Sequence, residues 1–160
     1  MEPVTAALLA GGVVLGAALL ARRWGPEPTH RETENWYAIL EKPPYAPPGG
    51  VIGAVWATLD VLLAVAGARL LAAPASRARC RALAGWSVAV AGIPGWMAVF
   101  FGARCIPGGL GVIGVMLGAA ATTVTEARRV DRVAARAIAP LVGWLGFAGL
   151  LNAEIWRRNR

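Results

Sequence analysis

Residues 36–48 read WYAILEKPPYAPP, and this segment combines three aromatic side chains with four prolines. It lies in a long connection between two apolar runs, at residues 4–21 and 51–71. A connection of nearly thirty residues is usually either functional or disordered. Because prolines restrict the backbone and the aromatic content is high, simple disorder is a poor explanation. The segment therefore predicts an ordered, functional loop between two helices.

The composition of the chain is that of a membrane protein. Of its 160 residues, 57% are hydrophobic and only 16% are charged, and the mean hydropathy is +0.55. A soluble domain carries about 25% charged residues. The polar surface that a soluble protein of this length needs is therefore missing, and we expect an integral, multi-pass membrane protein whose membrane and orientation the sequence does not specify.

Five apolar segments are each close to the roughly 20 residues that cross a hydrocarbon core of about 30 Å. Within a membrane the backbone must satisfy its own hydrogen bonds, so these segments are expected to be helices. The first is expected to be a retained transmembrane helix, since it lacks the basic start of a signal peptide. The fold prediction is an all-α, five-transmembrane-helix bundle, one domain over residues 1–160. The predicted helices are 4–21, 51–71, 82–103, 106–125 and 133–156.

The basic residues flank the apolar runs. The net charge is +7, and all but one of the sixteen basic residues are arginines. Such clusters are typical of loops that contact anionic lipid headgroups, so membrane lipid is an expected partner and nucleic acid is not. Cys80 and Cys105 are predicted on opposite membrane faces, which excludes a disulfide between them. Their spacing indicates no metal site.

Two polar residues lie deep inside predicted spans. Asp60 follows Trp56 by one helical turn, and a central Asp costs about 2.5–3.5 kcal/mol on insertion scales. We expect it to face the bundle interior, either in a functional role or as a neutral, hydrogen-bonded structural residue. In the last span Trp144, Ala148 and Asn152 share one face, and Asn152 is a natural partner for Asp60 or for a ligand.

Several aromatic residues join these polar groups. Phe147 lies beside the face of the last span, and the third span contributes Trp96, Phe100 and Phe101. Isolated tryptophans usually pack in cores or at membrane interfaces. Several indoles facing one interior, with two polar groups among them, favour a flat aromatic ligand. The sequence contains no nucleophile–base pair, metal cluster or phosphate loop, so a conventional hydrolase or transferase is not predicted.

Two further features leave alternatives open. Gly114 and Gly118 begin a strip of small residues that serves either packing inside the bundle or a dimer face. Pro94 and Pro140 each remove a backbone donor and favour a kink, which could open space between helices.

The combined motifs resemble the translocator protein family, also called tryptophan-rich sensory proteins or peripheral-type benzodiazepine receptors. The first group of matching residues comprises Trp36, Tyr37, Leu40, Lys42, Pro43, Tyr45, Pro47, Pro48 and Trp56. Two further matches are WMAVFFG at residues 96–102 and PLVGWLGFAGLLNAEIW at residues 140–156. The resemblance covers about residues 36–157.

The resemblance implies a five-helix bundle whose long first loop is a lid over a ligand pocket. It implies binding of porphyrins such as protoporphyrin IX, with no required cofactor, and a homodimer. The family's pocket positions carry onto Tyr37, Trp56, Trp144, Ala148 and Asn152. With the residues described above, the full predicted ligand-binding set is Tyr37, Trp56, Asp60, Trp96, Phe100, Trp144, Phe147, Ala148 and Asn152. The predicted lid residues are Trp36, Lys42, Pro43, Tyr45, Pro47 and Pro48.

The predicted function is that of an integral membrane protein that binds a tetrapyrrole, and this binding is linked to sensing or transport. One alternative is light- and oxygen-dependent porphyrin degradation, which the resemblance ties to Trp56 and Trp144. Another is a small-molecule transporter that uses Asp60. The chain departs from the family pattern at Ile93, Leu141 and Asp60, and its C-terminal LNAEIWR lacks the tyrosine of the family's sterol motif.

Overall fold

The computed structural model describes residues 1–26 and 29–160. Over these ranges it consists of helices joined by short turns and contains no strand. The α-helices are α1 Pro3–Ala21, α2 Arg31–Ile39, α3 Gly49–Ala72, α4 Arg77–Met97, α5 Ile106–Ala127 and α6 Arg132–Arg158. A short 3-10 helix, Arg22–Trp24, extends α1, and a π-helical turn, Ala98–Gly102, extends α4.

Within the described residues, five helices are long and apolar enough to cross a membrane. They are Pro3–Trp24, Gly49–Ala72, Arg77–Gly102, Ile106–Ala127 and Arg132–Arg158. The predicted five-helix bundle is therefore confirmed. The sixth helix, α2, lies within the long first loop and was not predicted as a helix.

The third span begins five residues before its predicted start, because arginines occupy its first turn. Ser76 caps the helix by accepting a hydrogen bond from the Arg79 backbone N–H at 3.1 Å. The Arg79 guanidinium donates to the carbonyls of Leu70 and Leu71 at 2.8 and 2.9 Å. These carbonyls lie in the last turn of α3 and have no partner within the helix. Arg79 therefore takes part in the cap at the start of α4 and also bonds the end of α3.

The start of α6 is fixed by Asp131. Its side chain accepts hydrogen bonds from the backbone N–H groups of Val133 and Ala134 at 2.8 and 2.9 Å. Its two carboxylate oxygens also each lie 2.9 Å from Nε of Arg69, near the end of α3. This hydrogen bond holds the pKa of Asp131 below its usual value. One side chain thus caps α6 and joins it to α3.

Small residues allow close packing of α4 on α5, but at different positions from those predicted. A Cβ atom at Gly85 would lie 2.5 Å from Thr123 Oγ1 and 2.7 Å from the Ala119 carbonyl oxygen. By contrast, Gly114 and Gly118 are exposed, and a Cβ atom at either would meet nothing within 4 Å. The explanation of that strip as packing inside the bundle is therefore wrong, because the strip faces outward.

The two helix-interior prolines have different surroundings. Pro94 is buried in α4, and the helix changes from α to π geometry four residues later, at Ala98–Gly102. At Pro140, which is exposed, α6 continues without interruption. Only α4 therefore departs from regular geometry after its proline, and the turn that follows carries Phe100 and Phe101. Cys80 and Cys105 are free, exposed thiols near opposite ends of α4.

Candidate ligand-binding cavity

A cavity of about 500 Å³ lies inside the bundle, toward the end that carries the long first loop. Its wall includes residues from α2 and from all five spans. All nine residues of the predicted ligand-binding set lie in this wall: Tyr37, Trp56, Asp60, Trp96, Phe100, Trp144, Phe147, Ala148 and Asn152. The volume falls within the range of about 300–1,000 Å³ that is usual for small-molecule sites.

Two groups of aromatic rings line the cavity, one on α3 and α6 and the other on α4. The indoles of Trp56 and Trp144 are nearly perpendicular, at 88°, with ring centroids 6.5 Å apart. The ring centroid of Phe147 lies 5.5 Å from that of Trp144. On α4, Trp96 stacks on Phe100 at 4.8 Å with an interplanar angle of 18°. These contacts fix the orientation of the rings, since aromatic pairs favour such geometries.

Asn152 connects three helices at the edge of the cavity. Its Nδ2 donates to the Ile106 carbonyl at 2.9 Å, and its Oδ1 lies 3.4 Å from Nε1 of Trp96. Only 2% of Asn152 is exposed. The expected pairing of Asn152 with Asp60 is therefore wrong, because both ends of the amide are already bound to α4 and α5. Gly109 makes room for it, since a Cβ atom there would lie 3.1 Å from Asn152 Oδ1.

Two polar atoms in the cavity wall lack a partner. Among the described residues, Asp60 Oδ1 and Trp144 Nε1 are the buried side-chain polar atoms without a hydrogen-bond partner. Both belong to residues of the cavity. Buried polar groups are usually paired, so each exception calls for an explanation.

The first part of the predicted lid packs against the cavity wall. Trp36 and Tyr37 on α2 pack edge-to-face on the two phenylalanines of the π-helical turn, with centroids 5.4–6.5 Å apart. The Lys42 ammonium donates to the backbone carbonyl of Tyr37 and lies 4.3 Å from the centroid of its ring. Burial raises the pKa of the Tyr37 hydroxyl and lowers that of the Lys42 ammonium. The segment is thus held by a buried aromatic cluster.

A second attachment joins the lid to the end of α6. The Glu41 backbone N–H donates to Asn159 Oδ1, and Asn159 Nδ2 donates back to the Glu41 carbonyl, both at 3.0 Å. Pro43, next to these residues, is buried. The chain is therefore fixed on both sides of Lys42.

The last part of the predicted lid does not cover the cavity. Tyr45 is 54% exposed, and Pro48 is also exposed. Pro47 instead lines a shallow apolar groove of about 610 Å³ on the outside of α3 and α6. Trp144 and Phe147 belong to both this groove and the cavity. Tyr45, Pro47 and Pro48 therefore carry the chain from the lid to the start of α3.

Sequence reasoning missed several residues of the cavity wall. Arg22, in the 3-10 helix after α1, lines it, as do Met97 of α4 and Met116 of α5. No motif distinguished the methionines from core residues. Arg22 directly follows the first predicted span, a position that is typical of a lipid-headgroup contact and does not indicate a cavity residue. Of the departures from the family pattern, Ile93 lines the cavity and Leu141 is buried in the core.

The fold and this site define an integral membrane protein of five spans with an internal aromatic cavity under a loop. The chain belongs to the TspO/MBR family, whose sequence model matches residues 6–157. It is 33% identical to the human translocator protein over 133 residues, which cover 81% of this chain and 78% of that protein. It is 31% identical to protein CrtK of Rhodobacter capsulatus over 125 residues, 78% of each chain. Identity to the tryptophan-rich sensory protein of Cereibacter sphaeroides is 31% over 126 residues, covering 79% and 78%.

Proposed function

We propose that the cavity binds a flat, largely apolar tetrapyrrole of the protoporphyrin IX type, and that binding serves sensing or transport. The observation that carries the proposal is the perpendicular pair of Trp56 and Trp144 in a cavity of about 500 Å³. A planar π-system can stack on one indole while its edge meets the face of the other. The relatives are named translocator and sensory proteins, which supports a binding role over turnover.

The charges in the cavity wall also fit such a ligand. Among the described residues, Arg22 is the cation of the wall and belongs to the lid end of the bundle. The periphery of protoporphyrin IX is apolar except for two carboxylates. A ligand that enters with its apolar edge first would place the carboxylates near Arg22 and near water. The lid then covers it with Tyr37, whose backbone is held by Lys42.

Tryptophan fluorescence in detergent tests the proposal. Titration of the dark protein with protoporphyrin IX is expected to give saturable quenching, because indoles line the cavity. Trp56→Phe and Trp144→Phe are expected to weaken binding about fivefold to tenfold each, the loss of one aromatic contact of about 1 kcal/mol. The matched control is Trp156→Phe, an indole near the end of α6 that does not line the cavity. Quenching that never saturates, or that weakens equally in the control, would refute the proposal.

Illumination of the same samples tests the photochemical alternative. The perpendicular indoles that favour binding are also the residues through which porphyrin degradation is expected to run. A light-driven change in the spectrum of the bound porphyrin that is lost in Trp56→Phe and Trp144→Phe would assign that activity. A stable spectrum in the wild type would leave binding alone.

A further inference from the structure

The two unpartnered atoms of the cavity wall are of opposite kinds, one an acceptor and the other a donor. Asp60 Oδ1 is an acceptor, and Trp144 Nε1 carries a donor hydrogen. Asp60 follows Trp56 by one turn of α3, and the ring of Trp56 contacts that of Trp144. Trp56 therefore connects Asp60 and Trp144 along the wall of one cavity, and we call the part of the cavity beside these three residues the corner.

Other groups of the wall do not satisfy these atoms. The amide of Asn152 is bound to the Ile106 carbonyl and lies beside Trp96 Nε1. Arg22, the other charged residue of the wall, does not bond Asp60 Oδ1, since this atom has no partner. The remaining wall near Asp60 is apolar or aromatic, with Ile52, Gly53 and Trp56 preceding it on α3. A buried acceptor and a buried donor without hydrogen bonds are unfavourable. A bound ligand can supply a hydrogen bond to each of them.

We propose that this corner selects ligands that carry an N–H donor and a neighbouring acceptor on one edge of a flat ring system. The N–H would bond Asp60 Oδ1, and the acceptor, a carbonyl or imine nitrogen, would accept from Trp144 Nε1. The inference rests on the proposed function, because it concerns the same cavity, and it extends the ligand class to flat ring systems with a lactam-like edge. An open-chain tetrapyrrole with terminal lactam rings belongs to that class. The N–H groups of protoporphyrin IX point to the centre of its macrocycle, so its binding does not depend on this corner.

The aromatic neighbours strengthen this selection. The aromatic rings of Trp56 and Trp144 make the surroundings of the corner less polar, which strengthens a hydrogen bond made there. A hydrogen bond to a carboxylate is also stronger than one between neutral groups. Asp60 stands where, by resemblance, relatives often place an aromatic residue. The selection would therefore be a property of this chain that relatives with an aromatic residue there lack.

The test uses a probe pair, phenanthridinone and its N-methyl derivative, in which a methyl group replaces the donor hydrogen. Both are flat tricyclic lactams, but only the first has an N–H. Equilibrium dialysis of the full-length protein in detergent gives an affinity ratio for the pair. Comparing this ratio between wild type and Asp60→Leu cancels any difference in how the two probes partition into detergent. Leucine is favourable within a span, so this variant is suited to the fold. Asp60→Asn is a second variant that keeps an acceptor but loses the charge.

The ratio is expected to fall at least about tenfold from wild type to Asp60→Leu, with an intermediate value for Asp60→Asn. Trp144→Phe is expected to weaken both probes alike, because both keep the carbonyl. Glu2→Gln, at the exposed start of α1, removes one negative charge far from the cavity and is expected to keep the wild-type ratio.

An equal ratio in wild type and Asp60→Leu overturns the inference, and so does a ratio that falls equally in Glu2→Gln. Protoporphyrin IX titration of the same wild-type sample separates this failure from that of the proposed function. Saturable porphyrin quenching with no Asp60-dependent ratio removes the donor–acceptor selection alone. Absent porphyrin quenching together with no Asp60-dependent ratio removes both.

Discussion

Replacing Asn152 with leucine tests whether this residue holds the cavity wall together. The change removes the 2.9 Å bond to the Ile106 carbonyl and the 3.4 Å contact with Trp96 Nε1. Hydrogen bonds between membrane helices contribute about 0.6 kcal/mol on average and up to about 1.7 kcal/mol. The 3.4 Å contact is long and contributes little. We therefore expect Asn152→Leu to lower the free energy of unfolding by about 1 kcal/mol.

A second substitution at this position separates shape from hydrogen bonding. In Asn152→Asp the side chain keeps its size, but an ionised carboxylate can no longer donate to the Ile106 carbonyl. Burying this charge costs up to about 2.5–3.5 kcal/mol. A protonated carboxyl can still donate, so the loss should be small near pH 5 and grow as the pH rises to 8. Asn152→Leu should show no such dependence.

The assay is reversible unfolding in mixed micelles, followed by circular dichroism at both pH values. A double-mutant cycle with Trp96→Phe measures the weaker contact, and we expect a coupling below about 0.5 kcal/mol. If Asn152→Leu were as stable as wild type, and Asn152→Asp equally stable at both pH values, the amide would not hold α4, α5 and α6 together. The account of the cavity wall given above would then be wrong.

Three other changes probe the packing, the outer surface and a helix start. Gly67→Ala places a Cβ atom 2.5 Å from the ring of Trp86, whose Nε1 is held by the Leu63 carbonyl; we expect a loss of about 1–3 kcal/mol in thermal unfolding. Gly114→Ile adds bulk to an exposed strip, and light scattering should show weaker dimerisation at unchanged stability if this strip is the dimer face. The pKa of Asp131 is lowered in the folded protein, so its stabilising effect is complete above the unfolded pKa of about 3.9 and is lost as the pH falls below that value. In Asp131→Ala the melting temperature should therefore depend less on pH between pH 5 and pH 3 than in the wild type.

The spans could be predicted from sequence because hydropathy over about twenty residues is a local property. The ends of the spans could not be predicted where charged residues belong to the helix. The start of α4 is rich in arginine, and its helical state depends on Arg79 bonding the last carbonyls of α3. A hydropathy argument assigns such residues to a loop, since it contains no information about which carbonyls are free.

The helix α2 was missed for a related reason. Its first residues are polar, and it is short, so isolated helix formation is unfavourable. It is stabilised by packing of Trp36 and Tyr37 on Phe100 and Phe101, which lie more than sixty residues later in the chain. The aromatic residues were visible in the sequence, but the surface that receives them is created by the π-helical turn of α4.

The two polar residues of the spans show where sequence reasoning about the site ends. Asp60 and Asn152 were both expected inside the bundle, and both line the cavity. Their pairing could not be predicted, because the partner of Asn152 is a backbone carbonyl of another helix. An amide with its bonds made within the protein stabilises the fold whether or not a ligand is present. A carboxylate oxygen without such a bond lowers stability and improves the binding of any ligand that donates to it. Two polar residues of one cavity wall are therefore expected to act differently, Asn152 on stability and Asp60 on ligand selection.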